Sequence, residues 1–226
     1  HPKMFKLAYA FAMCFIFFIA FGGYNIYFTP TSIISIDINP SIEIGINRLN
    51  KVISVEGYNE DGVDFANSLD ILYDDYEDAI DEVLQSETIK TCLAKDEFLS
   101  VAVVEIDGTQ SEDILQYVSN CTSGHKNSYC YGLSSDDASS AHSLGLSYGK
   151  YNIYQELHSC GSHITPEEAS EMTMKELRQM LYDLDPESEN ASSQNYSCDN
   201  YSSEHGHGNG HGSGNGNGYG KHYGQN

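Results

Sequence analysis

Basic residues are scarce in this chain: 11 Lys and Arg stand against 33 Asp and Glu, a formal net charge of −22. A chain so acidic repels a phosphate backbone, which excludes nucleic acid as a partner. No two cysteines are spaced C-x-x-C, which excludes a zinc ribbon. Of the 6 cysteines, Cys14 lies in an apolar run and is expected in lipid. The others (Cys92, Cys121, Cys130, Cys160 and Cys198) are odd in number, so they cannot close a complete disulfide framework. Free thiols are the expectation, with a single bridge such as Cys121–Cys130 left open. Tryptophan is absent, and nothing functional follows from that.

Charge is also missing from residues 7–28, LAYAFAMCFIFFIAFGGYNIYF. A run of this length crosses a hydrocarbon core of ~30 Å as a helix. Lys3 and Lys6 precede it, and no further basic residue occurs until Arg48. The positive-inside bias then places residues 1–6 in the cytoplasm and the bulk of the chain outside a cell membrane crossed once. Tyr24 and Tyr27 suit the outer interface. A cleaved signal peptide is the competing reading, with Met4 as the start, Lys6 as a charged n-region and Ala20-Phe21-Gly22 as a small-x-small site. The opening His1-Pro2-Lys3 lacks an initiator Met, so cytoplasmic sequence is expected to precede it.

After Pro30 the pattern changes to strict alternation. Ile34, Ile36 and Ile38 share one face, with Ser35 and Asp37 on the other, and Ile42, Ile44 and Ile46 continue in phase. Pro40 lies between the two runs and cannot donate to a ladder, so they form either two strands or one strand broken there. Residues 52–58 read as a further strand. Tyr76, Ile80, Val83 and Leu84 share a helical face, and residues 98–106, FLSVAVVEI, read as a strand covered on both sides. Capping boxes are spaced at Thr109/Glu112, Thr165/Glu168 and Thr173/Glu176. The last opens a helix striped by Leu177, Met180, Leu181 and Leu184 and stopped by Pro186, and two more helices are expected near 136–143 and 149–158. Early strands and later helices predict an α/β fold over 31–185, a small mixed sheet with helices packed on it in an α/β/α sandwich-like arrangement. A transmembrane helix precedes it and a tail follows. That tail, 186–226, is Ser, Asn, Gly and His with no apolar period, and is expected to be disordered. His205, His207 and His211 are weak metal candidates within it, and no cofactor is implied.

The stretch SIISIDINPSIEIGINRLNKVISVEGYNEDG, residues 32–62, resembles the extracytoplasmic domain of RsgI-like anti-sigma factors. The carrying pattern is D-I-N-P-S-I-E, then G-x-N, V-I-S-V and N-x-D-G, and AHSLGLSYGKYNIYQEL and MTMKELRQML are similar to this family as well. The resemblance implies a cytoplasmic N-terminal domain, missing here, that sequesters an alternative sigma factor. It also implies self-cleavage between the Asn and Pro of the motif, here Asn39 and Pro40, followed by attack of an intramembrane protease on the stub left in membrane lipid.

The residues themselves make that chemistry reasonable. Asn deamidation needs the next backbone N–H, which Pro40 lacks. The intramolecular route left is attack by the Asn39 side-chain nitrogen on its own carbonyl carbon, giving a succinimide and expelling the Pro40 amine. The fold must hold that geometry, because the step is slow in a flexible chain. Alternation would put Asn39 on the face of Asp37, Ser41 and Glu43, which could lend polar help. Such a protein performs one self-cleavage and is otherwise not an enzyme. Against this stands a second class: a secreted or anchored envelope protein with a metal-binding His-rich tail and no signalling role.

Overall fold

The computed structural model describes residues 2–125 and 127–186. The expectations for the tail, including His205, His207, His211 and Cys198, lie outside the described residues.

Helix α1 (Pro2–Phe28) carries no acidic residue in its first turn and no basic one in its last. Its segment Phe11–Phe28 is long and apolar enough to cross a membrane. Side chains such as Phe15 and Phe18 stand exposed along it, and an apolar surface of that extent calls for lipid or another apolar cover. Only Thr29 separates α1 from the first strand. At this junction the Asn47 side-chain amide donates to the Tyr27 carbonyl at 2.7 Å, and the Tyr27 ring lies 6.3 Å from that of Tyr73.

Among the described residues one five-stranded sheet forms, in the order β3-β2-β1-β4-β5. Strands β1 (Pro30–Asp37), β2 (Ser41–Asn47) and β3 (Val52–Gly57) make an antiparallel meander. Strand β4 (Leu99–Glu105) lies antiparallel against the other edge of β1. Strand β5 (Ser128–Ser134) runs parallel to β4, reached through the crossover helix α5 (Gln110–Thr122). The sheet is therefore mixed, and Pro40 separates two strands of one hairpin. The strand attached to α1 is the middle one of the five.

Helices α2 (Glu60–Ser68), α3 (Tyr76–Gln85), α4 (Glu87–Ala94) and α5 cover one face. Helices α6 (Ser135–Ser143), α7 (Tyr148–Ser159), α8 (Pro166–Glu171) and α9 (Met174–Leu184) cover the other. The alternation decides which side chain enters which core. Ile34, Ile36 and Ile38 join Ile42, Ile44, Ile46, Leu99, Val101 and Val103 in the first core. Ala102 and Val104 face Leu133, Leu157 and Leu177 in the second. The result is the expected α/β/α arrangement, and each large aliphatic side chain buried in it contributes roughly 1.5–3 kcal/mol.

Several details depart from the sequence expectations. Strand β5 has the sequence SYCYGLS, too poor in β-branched residues to announce a strand. Helices α2 and α4 are short and gave no long apolar period. The capping boxes at Thr165 and Thr173 form, but Thr109 makes no side-chain cap bond. Its backbone, at φ −102° and ψ 8°, is outside the extended region that an N-cap needs, and its carbonyl accepts from Glu112 N–H instead. Leu184 is 49% exposed, so the α9 stripe ends at Leu181. Cys121 and Cys130 are separate thiols. The Cys130 sulfur lies 2.9 Å from Thr122 Oγ1, and burial pushes its pKa up to about 11.

Candidate functional site

The D-I-N-P-S motif forms the tip of the β1–β2 hairpin. Asp37 pairs with Ser41 as the last register pair, leaving Ile38, Asn39 and Pro40 to make the turn. The Asn39–Pro40 bond is cis, and Asn39 has φ 70°. That region disfavours most L-residues but is one that Asn visits readily. The Ile38 N–H donates to the Pro40 carbonyl at 3.2 Å, closing the tip across the bond. Pro40 is buried and Asn39 exposed.

Two side chains engage Asn39. The Asn59 amide nitrogen donates to Asn39 Oδ1 at 3.1 Å, and the Cys92 thiol donates to the Asn39 carbonyl oxygen across 3.5 Å. Burial raises the pKa of Cys92, with Lys95 opposing and Glu97 and Asp61 adding to the rise. The sulfur therefore keeps its proton near neutral pH and can donate it. Asn59 is the N-cap of α2, and its Oδ1 accepts from Gly62 N–H at 2.7 Å and from Ser41 N–H at 3.1 Å. Gly62 has no room for a side chain: a Cβ there would lie 2.0 Å from the Ser41 carbonyl oxygen. The N-x-D-G motif, residues 59–62, thus seats the first turn of α2 directly on the hairpin.

On the other face, Asp37 is fully buried. Its Oδ2 accepts from Gly149 N–H at 2.8 Å, in the first turn of α7, and from Ser35 Oγ at 3.2 Å. Its Oδ1 has no partner. A carboxylate at a helix N-terminus gains from the exposed amides and the helix dipole. The fit again requires glycine, since a Cβ on Gly149 would sit 2.8 Å from Oδ2. Glu43, two residues along β2 from Ser41, pairs with His142 Nε2 at 2.9 Å. The His142 ring stacks between Tyr58 at 5.5 Å and Tyr148 at 4.8 Å. Burial raises the Glu43 pKa, His142 counters the rise, and Asp37 and Glu56 add to it.

Asp37 and Glu43 therefore meet the α7 side of the sheet, where their partners are Gly149 and His142. The hydrogen bonds of Asn39 lead to α2 and α4 on the opposite side. Strand parity does not carry through the tip, because the positive φ of Asn39 redirects the chain there. Ser41 joins the Asn39 side through its backbone N–H and carbonyl. Asn59 and Cys92 were not among the residues that the sequence singled out as helpers. Asn59 had a signal, since an Asn followed by two acidic residues reads as an N-cap. Cys92 had none.

Comparison with known families bears on this geometry. The anti-sigma factor RsgI-like central domain family matches residues 31–156, from the start of β1 into α7, which is more than half of the chain. The chain belongs to that family. No curated protein matches it. The DINPS, N-x-D-G and SYGK segments of this RsgI-like domain are three parts of one structure: a hairpin tip with a helix N-terminus set against each side of it. Membership gives the chain an anti-sigma factor role, with a sigma factor as the partner class. With α1 as a candidate span, it is consistent with a membrane location.

Proposed function

We propose that this RsgI-like domain is the extracytoplasmic part of a membrane-anchored anti-sigma factor that opens its own backbone between Asn39 and Pro40. An envelope signal would pass inward when β1, still joined to the membrane helix, leaves the sheet. The freed stub would then be a substrate for an intramembrane protease, releasing a sigma-binding portion on the cytoplasmic side.

The observation that carries this reading is the placement of Asn39–Pro40 at the tip between β1 and β2, with hydrogen-bond donors on both the Asn39 carbonyl and its side chain. In the proposed step Asn39 Nδ2 attacks the Asn39 carbonyl carbon. A new C–N bond closes the five-membered imide and the C–N bond to Pro40 breaks. The proton lost by Nδ2 ends on the proline nitrogen, which leaves as a secondary amine. Negative charge develops on the carbonyl oxygen, the atom that the Cys92 thiol faces, and a donor so placed stabilises the transition state. Water later opens the imide. The event happens once per molecule and has no turnover.

The test is an intact-mass measurement on denatured protein. Two fragments are expected, one beginning at Pro40 and one ending at residue 39. The upstream fragment should first appear one water lighter than its hydrolysed form, which marks the imide. Asn39→Ala should give only the full-length mass. A wild-type chain that stays whole after prolonged incubation, or an Asn39→Ala chain that still breaks at this bond, would overturn the reading. Orientation is tested by protease added to intact cells, which should digest the region from residue 31 onward.

A further inference from the structure

We infer that Asn59 is the positioning residue that sets Asn39 in its reactive orientation, an inference that rests on the self-cleavage reading above. The hydrogen-bond network fixes which way the Asn59 amide points. Its Oδ1 receives two backbone N–H groups, from Gly62 at 2.7 Å and Ser41 at 3.1 Å. A flipped amide would turn its NH2 against both donors and leave four N–H groups without an acceptor. Asn59 Nδ2 therefore faces Asn39 Oδ1, at 3.1 Å.

That bond determines Asn39 in turn. With its oxygen held by Asn59, its Nδ2 is the end left to turn toward its own carbonyl carbon. Asn59 also spans the bond to be broken. It holds the side chain on the upstream side and the Ser41 N–H on the downstream side. The seat beneath it is rigid, because Tyr58 N–H donates to the Ser41 carbonyl at 2.8 Å and Gly62 packs on that same oxygen. The contact has an electrostatic role too. As Asn39 Nδ2 gives up its proton, negative charge moves onto Oδ1, the atom to which Asn59 donates. Holding reacting atoms near attack geometry is a large lever on an intramolecular rate.

An ordinary helix cap would have the same location, so the test must separate the two roles. Asn59→Asp keeps an acceptor for Gly62 and Ser41, and Asp caps a helix as well as Asn does. It has no N–H to give Asn39. The full chain is made by cell-free synthesis into detergent, and the fraction cut is followed by denaturing gel and intact mass. Asn59→Asp should unfold at the wild-type temperature yet cut about 10-fold or more slowly at pH 7. Relative to wild type, its rate should rise as the pH is lowered enough to protonate the new carboxyl, which restores an O–H donor. Asn59→Ser, cap-competent but one atom shorter, is the second variant should the added charge unfold the hairpin. It should be equally slow. A stable Asn59→Asp or Asn59→Ser chain that cuts at the wild-type rate would reduce Asn59 to a cap while leaving self-cleavage intact. A wild type that never cuts would remove both readings.

Discussion

Ile36 offers a direct measure of what would hold β1 in the sheet if the Asn39–Pro40 bond opens as proposed. It is 1% exposed in the first core. Across the sheet it pairs with Ile42 on β2 and Val101 on β4. Replacing a buried Ile by Ala costs about 2–5 kcal/mol, the spread reflecting how far the cavity relaxes. At 1.4 kcal/mol per factor of ten, release of the upstream fragment should accelerate roughly 30- to several-thousand-fold if the transition state has lost that contact. Ile33 is the internal control. It points to the other face and is only partly buried, so Ile33→Ala should accelerate release far less. The assay captures cut protein through a tag at the N-terminus and times the loss of the downstream fragment in native buffer. Uncut Asn39→Ala versions of the same variants should show the same ranking in urea unfolding. Equal release from Ile36→Ala, Ile33→Ala and wild type would refute the claim that burial of this strand face holds the halves together. So would wild-type halves that part at once.

Other substitutions test other parts of the structure. Asp37→Ala strips the acceptor from Gly149 N–H and Ser35 Oγ, and should cost about 1–3 kcal/mol in denaturant unfolding. Thr173→Ala breaks a formed capping box and should cost about 1 kcal/mol, whereas Thr109→Ala, which removes no cap bond, should change stability by no more than about 0.5 kcal/mol. Glu43→Gln tests a pH dependence. Burial raises the Glu43 pKa above the ordinary value of 4.5 in the folded state. Stability from this group is then full below that ordinary value and is lost as pH rises through the folded one. The melting temperature of Glu43→Gln relative to wild type should therefore climb between acidic and neutral pH, and a constant difference would contradict the burial argument.

Much of the fold was legible because two periods were clean. The Ile34–Ile46 alternation gave the extended runs and their common face while leaving open whether Pro40 divides one strand or two, and the capping boxes at Thr165 and Thr173 set helix starts within a residue. Strand β5 was not legible, since SYCYGLS becomes a strand only by docking on β4 after α5 has crossed over. The site was legible in one dimension only. The motif located Asn39 and Pro40, but parity along a strand says nothing about where a turn residue at φ 70° directs its side chain. Asn59 and Cys92 reach Asn39 from 20 and 53 positions away in sequence. No local pattern encodes that meeting; the packing of α2 and α4 on the hairpin does.

The direct passage from α1 into the middle strand has a consequence for how the domain would yield. A tether pulling along an edge strand works against a single ladder of hydrogen bonds. Here the tether enters a strand flanked on both sides, with residues 30–37 paired to 41–47 and residues 32–37 paired to 100–105. Tension along that strand loads both ladders in shear, so their bonds must fail together rather than in sequence. With the tip intact, the chain beyond Pro40 shares the load. Were the tip opened as proposed, the two ladders would bear it alone, and extraction would become a thresholded, rate-limited event set by the barrier to sliding β1 out. Such a joint would resist ordinary thermal agitation and still part under sustained tension, a latch whose strength is set by sheet position rather than by the chemistry of the cut.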